Sequence, residues 1–272
     1  MKDIRIAAAI VPCPVGEIEK NLDRMSRWVD QARREGASLI CFPELNITGY
    51  TTQSDIRRVA RPISGVIQNS LVDMARAAKI VILAGMAEAG SDECIYATHL
   101  VITPEGEIQR YRKVHLAPPE QVELTPGDQV PIFEAAGIKF GIQLCYDAHF
   151  PELSTRMALS GAEVIFIPHA SPRVTPEEKF ASWMRHLPAR AYDNSVYIVV
   201  CNPCGKNRLG LSFAGLGMAI GPSGNVIERY LEGREGMMLA DLKAADLAAV
   251  RAHRMRYFLP NRRPDIYRLE NQ

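Results

Sequence analysis

Three residues stand just beyond short apolar runs of β-type sequence, and together they could cut an acyl bond. Phe-Pro-Glu-Leu-Asn-Ile-Thr-Gly-Tyr sets Glu44 after the run 38–43, and Tyr-Arg-Lys-Val-His-Leu sets Lys113 at the end of a hairpin-like segment. Cys145 follows the run 138–144, shortly before Pro151 and Glu152 open a helix. α/β proteins gather their sites at such strand ends. A cysteine on a sharp strand-to-helix turn exposes its sulfur, and backbone N–H groups at the turn lower its pKa and offer an oxyanion site. A thiol needs a base, and no histidine is placed to serve. A partly buried carboxylate with raised proton affinity can take that role, while a nearby ammonium tunes it and stabilises charge on a carbonyl oxygen. Each residue alone has a plainer reading: Glu44 as a solvated strand-end charge or cap, Lys113 as an exposed edge lysine, Cys145 as a buried structural thiol. Only jointly do they make a mechanism.

An alternation of strand and helix must position these groups. Runs rich in Ile and Val at 4–11, 38–43, 80–86, 95–102, 138–144, 163–168 and 196–201 are bounded by Gly, Pro or charge and read as strands. Ile18, Leu22, Met25, Trp28, Val29 and Ala32 share one helical face within 16–35, and similar stripes mark 66–78, 152–160 and 177–194. This order predicts an α/β fold. Thr-Pro-Glu-Gly-Glu-Ile at 103–108 turns one strand back on the next, so 95–113 reads as a hairpin and the sheet as mixed. EGASLICFPE at 35–44 and SGAEVIFIPH at 160–169 echo each other at an offset of 125 residues. Two related αβ halves would pack as one domain over 1–272, with two back-to-back sheets covered by helices, because no linker or charge block divides the chain.

The composition, 47% hydrophobic and 23% charged, fits a globular chain with a sizeable core and excludes disorder, collagen and coiled coil. Thirty-two basic side chains against 31 acidic ones leave a charge of +1, so no global field would hold a nucleic acid. No apolar stretch approaches the roughly 18 residues that span a bilayer, and the expected location is the cytoplasm. Six scattered cysteines fit a reducing compartment. Cys201 and Cys204 form a single Cys-x-x-Cys, a redox pair or half a zinc site in one reading and a coincidence of strand thiols in the other. The tail 251–268 carries six arginines among Tyr, Phe, Leu and Ile. It reads as an arm whose arginines pair with carboxylates of its own body or of a partner subunit, with a nucleic-acid patch as the alternative.

FPELNITGY, then TPEGEI with YRKVHL, then LCYDAHFPE, in that order and spacing, resemble the nitrilase superfamily of carbon–nitrogen hydrolases with its Glu-Lys-Cys triad. The resemblance continues through RAYDN at 190–194, CNPCG at 201–205, FAGLGMAIGPSG at 213–224 and YFLPNRRPDIY at 257–267. It implies a four-layer αββα sandwich, no metal or organic cofactor, and a homodimer or higher homo-oligomer joined across helices near Cys145 and in 177–194; the arm 251–272 is a candidate for that interface. It also implies Glu44 as general base, Lys113 as electrostatic stabiliser, Cys145 as nucleophile and Glu120 as the second glutamate that orients Lys113 and substrate. In the expected sequence Glu44 takes the Cys145 proton and the thiolate attacks an amide carbon. The oxyanion rests on Lys113 and the Tyr146 backbone N–H. Glu44 then serves the departing amine and the hydrolytic water.

Asp147, two places after the cysteine, is similar to the amidase and carbamoyl-hydrolase branches, so a small linear amide is the expected substrate. An N-carbamoyl amine or amino acid is the alternative, ahead of a nitrile or of a non-catalytic dimer. His149 replaces an arginine that many amidase-like members carry, and Gly217 replaces a frequent serine. His149, His169, Ser171 and Arg173 are the pocket candidates, and the polar loop 169–179 adds Glu177 and Lys179, each with a solvated-surface reading beside it.

Overall fold

The computed structural model describes residues 1–91, 93–172 and 175–266. Its first half runs β1 (Ile4–Ile10), α1 (Ile18–Arg34), β2 (Leu39–Cys41), α2 (Asp55–Val59), α3 (Gly65–Ala78), β3 (Val81–Ala89), β4 (Ile95–Ile102) and β5 (Ile108–Arg112). The second runs β6 (Phe133–Ala135), β7 (Ile138–Ile142), α4 (Pro151–Leu159), β8 (Val164–Pro168), α5 (Pro176–Trp183), α6 (Leu187–Asn194), β9 (Tyr197–Lys206), β10 (Ser212–Ile220) and β11 (Val226–Tyr230). β12 (Gly236–Leu242) and α7 (Ala244–Ala252) follow.

Among the described residues the strands form two six-stranded mixed sheets, ordered β12-β1-β2-β3-β4-β5 and β11-β10-β9-β8-β7-β6. In each, three parallel strands are followed by two antiparallel ones and preceded by one antiparallel edge. The sequence echo lies at equivalent places, at β2 and β8. The α/β sandwich with helices on its outer faces is as expected.

Alternation explains the layers. Ile6, Ile10, Leu39, Cys41 and Leu83 point into the core shared with Phe140, Ile165, Val199 and Met218 of the other sheet. Their neighbours Ala7, Ala9, Ile40 and Ile82 face Leu22, Met25 and Val29 of α1 and Leu71 of α3. Each fully buried Ile or Leu adds about 1.5–3 kcal/mol. The small Ala7 and Ala9 let α1 lie close to the sheet.

Three expectations change. The stripe at 177–194 is two helices, because Pro188 stands in the first turn of α6, where its ring and missing N–H stop a helix arriving from α5. Strands β10 to β12 and helix α7 extend the fold beyond the last predicted strand. Two of the arm's arginines meet neutral acceptors on the body rather than carboxylates: Arg251 donates to the carbonyls of Ala162 and Ser195, and Arg256 to Ser223 Oγ. Arg263 does pair with a carboxylate, Asp265 of the arm itself.

Candidate active site

Glu44 lies three residues beyond β2 in a loop pinned to β3. Asn46 Oδ1 accepts the Gly85 N–H at 2.8 Å and Thr48 Oγ1 accepts the Ala87 N–H at 2.9 Å. Gly85 makes that docking feasible, since a Cβ there would sit 2.5 Å from the Leu45 nitrogen. Lys113 continues the β4–β5 ladder, its N–H donating to the Ala97 carbonyl at 2.9 Å. Rather than marking an exposed edge, its side chain turns inward and is buried.

Cys145 begins a short 3-10 turn after β7 with φ of 65°, in the left-handed region that a non-glycine residue seldom occupies. The buried Asp147 holds that elbow. It accepts the Leu144 N–H at 2.9 Å, the Tyr111 hydroxyl at 2.7 Å and the His115 N–H at 2.8 Å, and the His115 ring nitrogen Nδ1 lies 2.9 Å away. Tyr111 and His115 flank Lys113 in sequence, so one carboxyl group ties the lysine's strand to the cysteine's turn.

The three carboxyl and ammonium groups meet. Lys113 Nζ donates to Glu44 Oε1 at 2.8 Å and to Glu120 Oε1 at 2.7 Å, all three side chains being buried. Glu44 Oε2 accepts the Ala170 N–H at 3.1 Å. Glu120 also accepts the Tyr50 hydroxyl at 2.8 Å and the Ala117 N–H at 2.8 Å. Lys113, Glu120, Cys145, Tyr146 and Tyr50 share the wall of a cavity of about 190 Å³. Tyr146 stands in the first turn of the 3-10 segment, where N–H groups lack an intrahelical acceptor.

Burial dominates the proton affinities. It raises Glu44, and although Lys113 pulls the other way the carboxyl stands at about 7. Burial opposes the Lys113 ammonium, but Glu44 and Glu120 outweigh it and hold the pKa above the ordinary lysine range. Burial and then the Glu44 charge push the Cys145 thiol up to about 12, against Lys113 and Lys179. The expected lowering of the thiol pKa is therefore reversed: the turn is a 3-10 segment of five residues and supplies little dipole, while a carboxylate lies close by.

The pocket candidates divide. His149 is exposed yet lines the cavity, stacked on His186 with ring centroids 4.5 Å apart. His169 is buried, and its Nδ1 lies 2.8 Å from the Ile167 carbonyl, which can only accept, so the ring proton sits on Nδ1. Ser171 lines the wall and its N–H donates to Asn202 Oδ1 at 2.9 Å. Arg173 lies outside the described residues. Glu177 is exposed, whereas Lys179 is buried in the cavity wall. Gly217 packs against Ile10 between the sheets and is not part of that wall. Tyr50, Trp183 and His186 also line the cavity, yet sequence reasoning gave none of them a role; Asp147, read there only as a mark of the amidase-like branches, holds the elbow. Tyr50 closes the FPELNITGY motif, a signal that was available.

Cys201 and Cys204 are buried in β9, with Cys201 Sγ 3.8 Å from the Cys41 carbonyl and Cys204 Sγ 3.9 Å from that of Ile10. Among the described residues no group of three or more His, Cys, Asp or Glu could hold a metal ion. No helix among them is long and apolar enough to cross a membrane.

A nitrilase from Pyrococcus abyssi (strain GE5 / Orsay) is 32% identical over 256 residues, covering 93% of this chain and 93% of that protein. An (R)-stereoselective amidase from Pseudomonas sp. is 31% identical over 250 residues, covering 91% of this chain and 87% of that protein. An amidase from Nesterenkonia sp. AN1 superposes with a TM-score of 0.83 at 26% identity, over 97% of this chain and 95% of that one. That amidase has been captured as a cysteine-to-alanine variant in complex with butyramide, and as a glutamate-to-leucine variant with the acetamide moiety of fluoroacetamide added covalently at the active-site cysteine. The carbon-nitrogen hydrolase profile matches residues 5–252. With that match spanning nearly the whole chain, and with relatives above 30% identity along nine-tenths of it, the chain belongs to the carbon-nitrogen hydrolase family of the nitrilase superfamily.

Proposed function

We propose that the protein is an amidase that hydrolyses the C–N bond of a small linear amide through a thioester on Cys145. The observation that carries this reading is the buried Lys113 ammonium, held at 2.8 Å by Glu44 and 2.7 Å by Glu120 in the cavity that Cys145 opens into. An ammonium so fixed is preorganised for a developing oxyanion and needs no reorganisation during reaction. The bound amide and the cysteine adduct of the Nesterenkonia enzyme support the substrate class and the nucleophile.

In the proposed cycle Glu44, ionised above about pH 7, receives the Cys145 proton as sulfur attacks the amide carbon. Negative charge on the former carbonyl oxygen is met by Lys113 Nζ and the Tyr146 N–H. Glu120 keeps Lys113 in place, itself held by Tyr50 and Ala117. Glu44 passes its proton to the leaving ammonia or amine, then deprotonates the water that opens the thioester, and the thiol is restored. An N-carbamoyl substrate would follow the same steps and release CO₂ as well as ammonia.

The test is a panel of amides, N-carbamoyl compounds and nitriles assayed for ammonia, with Cys145→Ala as the blank. Turnover should be confined to the wild type and fastest on amides. Wild-type rates from the alanine protein would reject the mechanism, and nitriles as the preferred class would reject the amidase reading.

A further inference from the structure

The loop that carries Glu44 runs on to Tyr50, and two buried asparagines from elsewhere in the chain grip its far side. Asn21, near the start of α1, donates through Nδ2 to the carbonyls of Pro14 and Ile47, each at 3.0 Å. Asn207 stands just past β9, in the tip that joins β9 to β10, and is only 1% exposed. Its Nδ2 donates to the Tyr50 carbonyl at 2.9 Å, while its Oδ1 accepts the Leu209 and Leu211 N–H groups, both at 2.9 Å. The Asn207 carbonyl accepts the Val15 N–H at 3.1 Å, and the neighbouring Arg208 pairs with Glu17 ahead of α1. Gly49 seals the junction with φ of 81°, since a Cβ there would lie 2.4 Å from the Val15 Cα.

The two ends of the Asn207 amide do different work. Its oxygen shapes the turn of its own hairpin, a task that an aspartate oxygen performs equally well. Its nitrogen reaches into another loop, and the turn does not need that bond. The same hairpin also touches the Tyr50 ring, which meets Phe213 of β10 edge to face with centroids 6.4 Å apart. Tyr50 is thereby fixed at both backbone and ring. Its hydroxyl donates at 2.8 Å to Glu120 Oε1, the oxygen that also accepts Lys113 Nζ at 2.7 Å. An unbroken line of hydrogen bonds runs from the hairpin tip to the buried ammonium.

We infer that Asn207 is a positioning residue, whose side-chain N–H fixes Tyr50 so that the phenol holds Glu120 and, through it, Lys113 in place for the oxyanion. The inference rests on the amidase reading, in which Lys113 meets charge that develops only during reaction. Loss of such positioning lowers kcat more than it raises KM. A shift of about 1 Å that originates away from the chemistry costs up to about 10²-fold.

The test is a double-mutant cycle of Asn207→Asp and Tyr50→Phe, with kcat and KM on a simple amide and hydrogen exchange on every protein. Asn207→Asp keeps both bonds accepted within the hairpin and, when ionised, has nothing to donate to Tyr50. Each single substitution should lower kcat at least about tenfold with KM within about threefold. The double variant should match Tyr50→Phe to within about threefold, whereas a merely structural role for Asn207 would multiply the two losses. Exchange should quicken at least about threefold over 117–124, the turn that carries Glu120, in both single variants. Multiplied losses, a wild-type kcat in Asn207→Asp, or exchange that quickens only at 206–212 overturns the inference. If Asn207→Asp does not fold, Asn207→Ser takes its place, its hydroxyl serving the turn but falling short of Tyr50. Exchange needs no substrate, so the two readings fail separately. The expected exchange pattern with no ammonia from any amide sinks the amidase reading and leaves the link from Asn207 to Glu120. Amide turnover with independent effects of the two substitutions sinks the link and leaves the amidase.

Discussion

In the resting enzyme Cys145 should be a thiol, and its proton should leave only as the bond to substrate forms. Its pKa of about 12 stands against about 7 for Glu44. That gap of roughly five units, at about 1.36 kcal/mol each, sets an upper limit of about 7 kcal/mol on proton transfer in the empty site, because the transfer itself neutralises the Glu44 charge that helps to raise the thiol. A turnover of about 10 s⁻¹ corresponds to a barrier of about 16 kcal/mol, so transfer coupled to attack fits within it and a standing ion pair is unnecessary. Glu44 accepts the proton only when ionised. The value of kcat/KM should therefore climb about tenfold per pH unit up to about pH 7 and then stay level, because the thiol loses its proton only near pH 12. The assay is kcat/KM on a simple amide from about pH 5 to about pH 10, alongside far-ultraviolet thiolate absorbance of wild type against Cys145→Ala. A thiolate band at neutral pH that the alanine protein lacks would refute the reasoning. So would an acid limb centred near the ordinary carboxylate range. The same shift has a consequence for stability. A carboxyl group raised from 4.5 to about 7 by folding favours the folded state when protonated, so its contribution is present at low pH and is lost as pH rises from about 4.5 to about 7.

Two substitutions away from the reacting atoms test how the site is held. Asp147→Ala strips the acceptor from the Tyr111 hydroxyl and the Leu144 and His115 N–H groups, and each buried orphan costs about 1–3 kcal/mol. Calorimetry should show a Tm fall of at least about 6 °C with kcat reduced more than KM is raised, and an unchanged Tm would show that this carboxyl group does not hold the elbow. Gly85→Ala places a methyl group 2.5 Å from the Leu45 nitrogen. Overpacking of that kind costs about 1–3 kcal/mol, and since the displaced loop carries Glu44, activity should fall further than stability accounts for; full activity with a native Tm would show that the loop gives way freely.

Glu44, Lys113 and Cys145 were legible because each follows a strand whose apolar run is itself legible, and a strand end is a fixed address in an α/β fold. Their proton affinities were not legible. The thiol pKa depends on how dry the finished cavity is and on a carboxylate 101 positions away in sequence, neither of which a local motif records. Tyr50 and the structural part of Asp147 escaped for a related reason, since both act through hydrogen bonds across the fold, to Glu120 and to Tyr111 and His115. Lys179 was visible as a polar loop residue, and only its burial separates it from the exposed Glu177 two positions earlier. In β10 the glycines 215 and 217 interrupt the apolar pattern, and the Met-rich β12 lacks the β-branched residues that mark a strand, so the C-terminal third of the fold did not announce itself.

The site is divided between the halves of the chain. Glu44, Lys113 and Glu120 come from the first half, and Cys145, His169, Ser171 and Lys179 from the second. The loops after the equivalent strands β2 and β8 join directly: the Glu44 N–H donates to the His169 carbonyl at 3.2 Å, and the Ala170 N–H returns to Glu44 Oε2 at 3.1 Å. The sequence echo at 35–44 and 160–169 thus places Glu44 opposite His169, an acid in one copy and an uncharged imidazole in the other. Neither half could hold Lys113 against Glu44 and also present Cys145 to it. Strand β12 secures the arrangement, since it follows all of the second sheet in sequence yet pairs with β1 from Ile4↔Leu242 to Ile10↔Gly236. Loosening that closing strand would let the first sheet's carboxylates drift from the second sheet's sulfur, so the same contacts maintain both the fold's cooperativity and the geometry of the reaction.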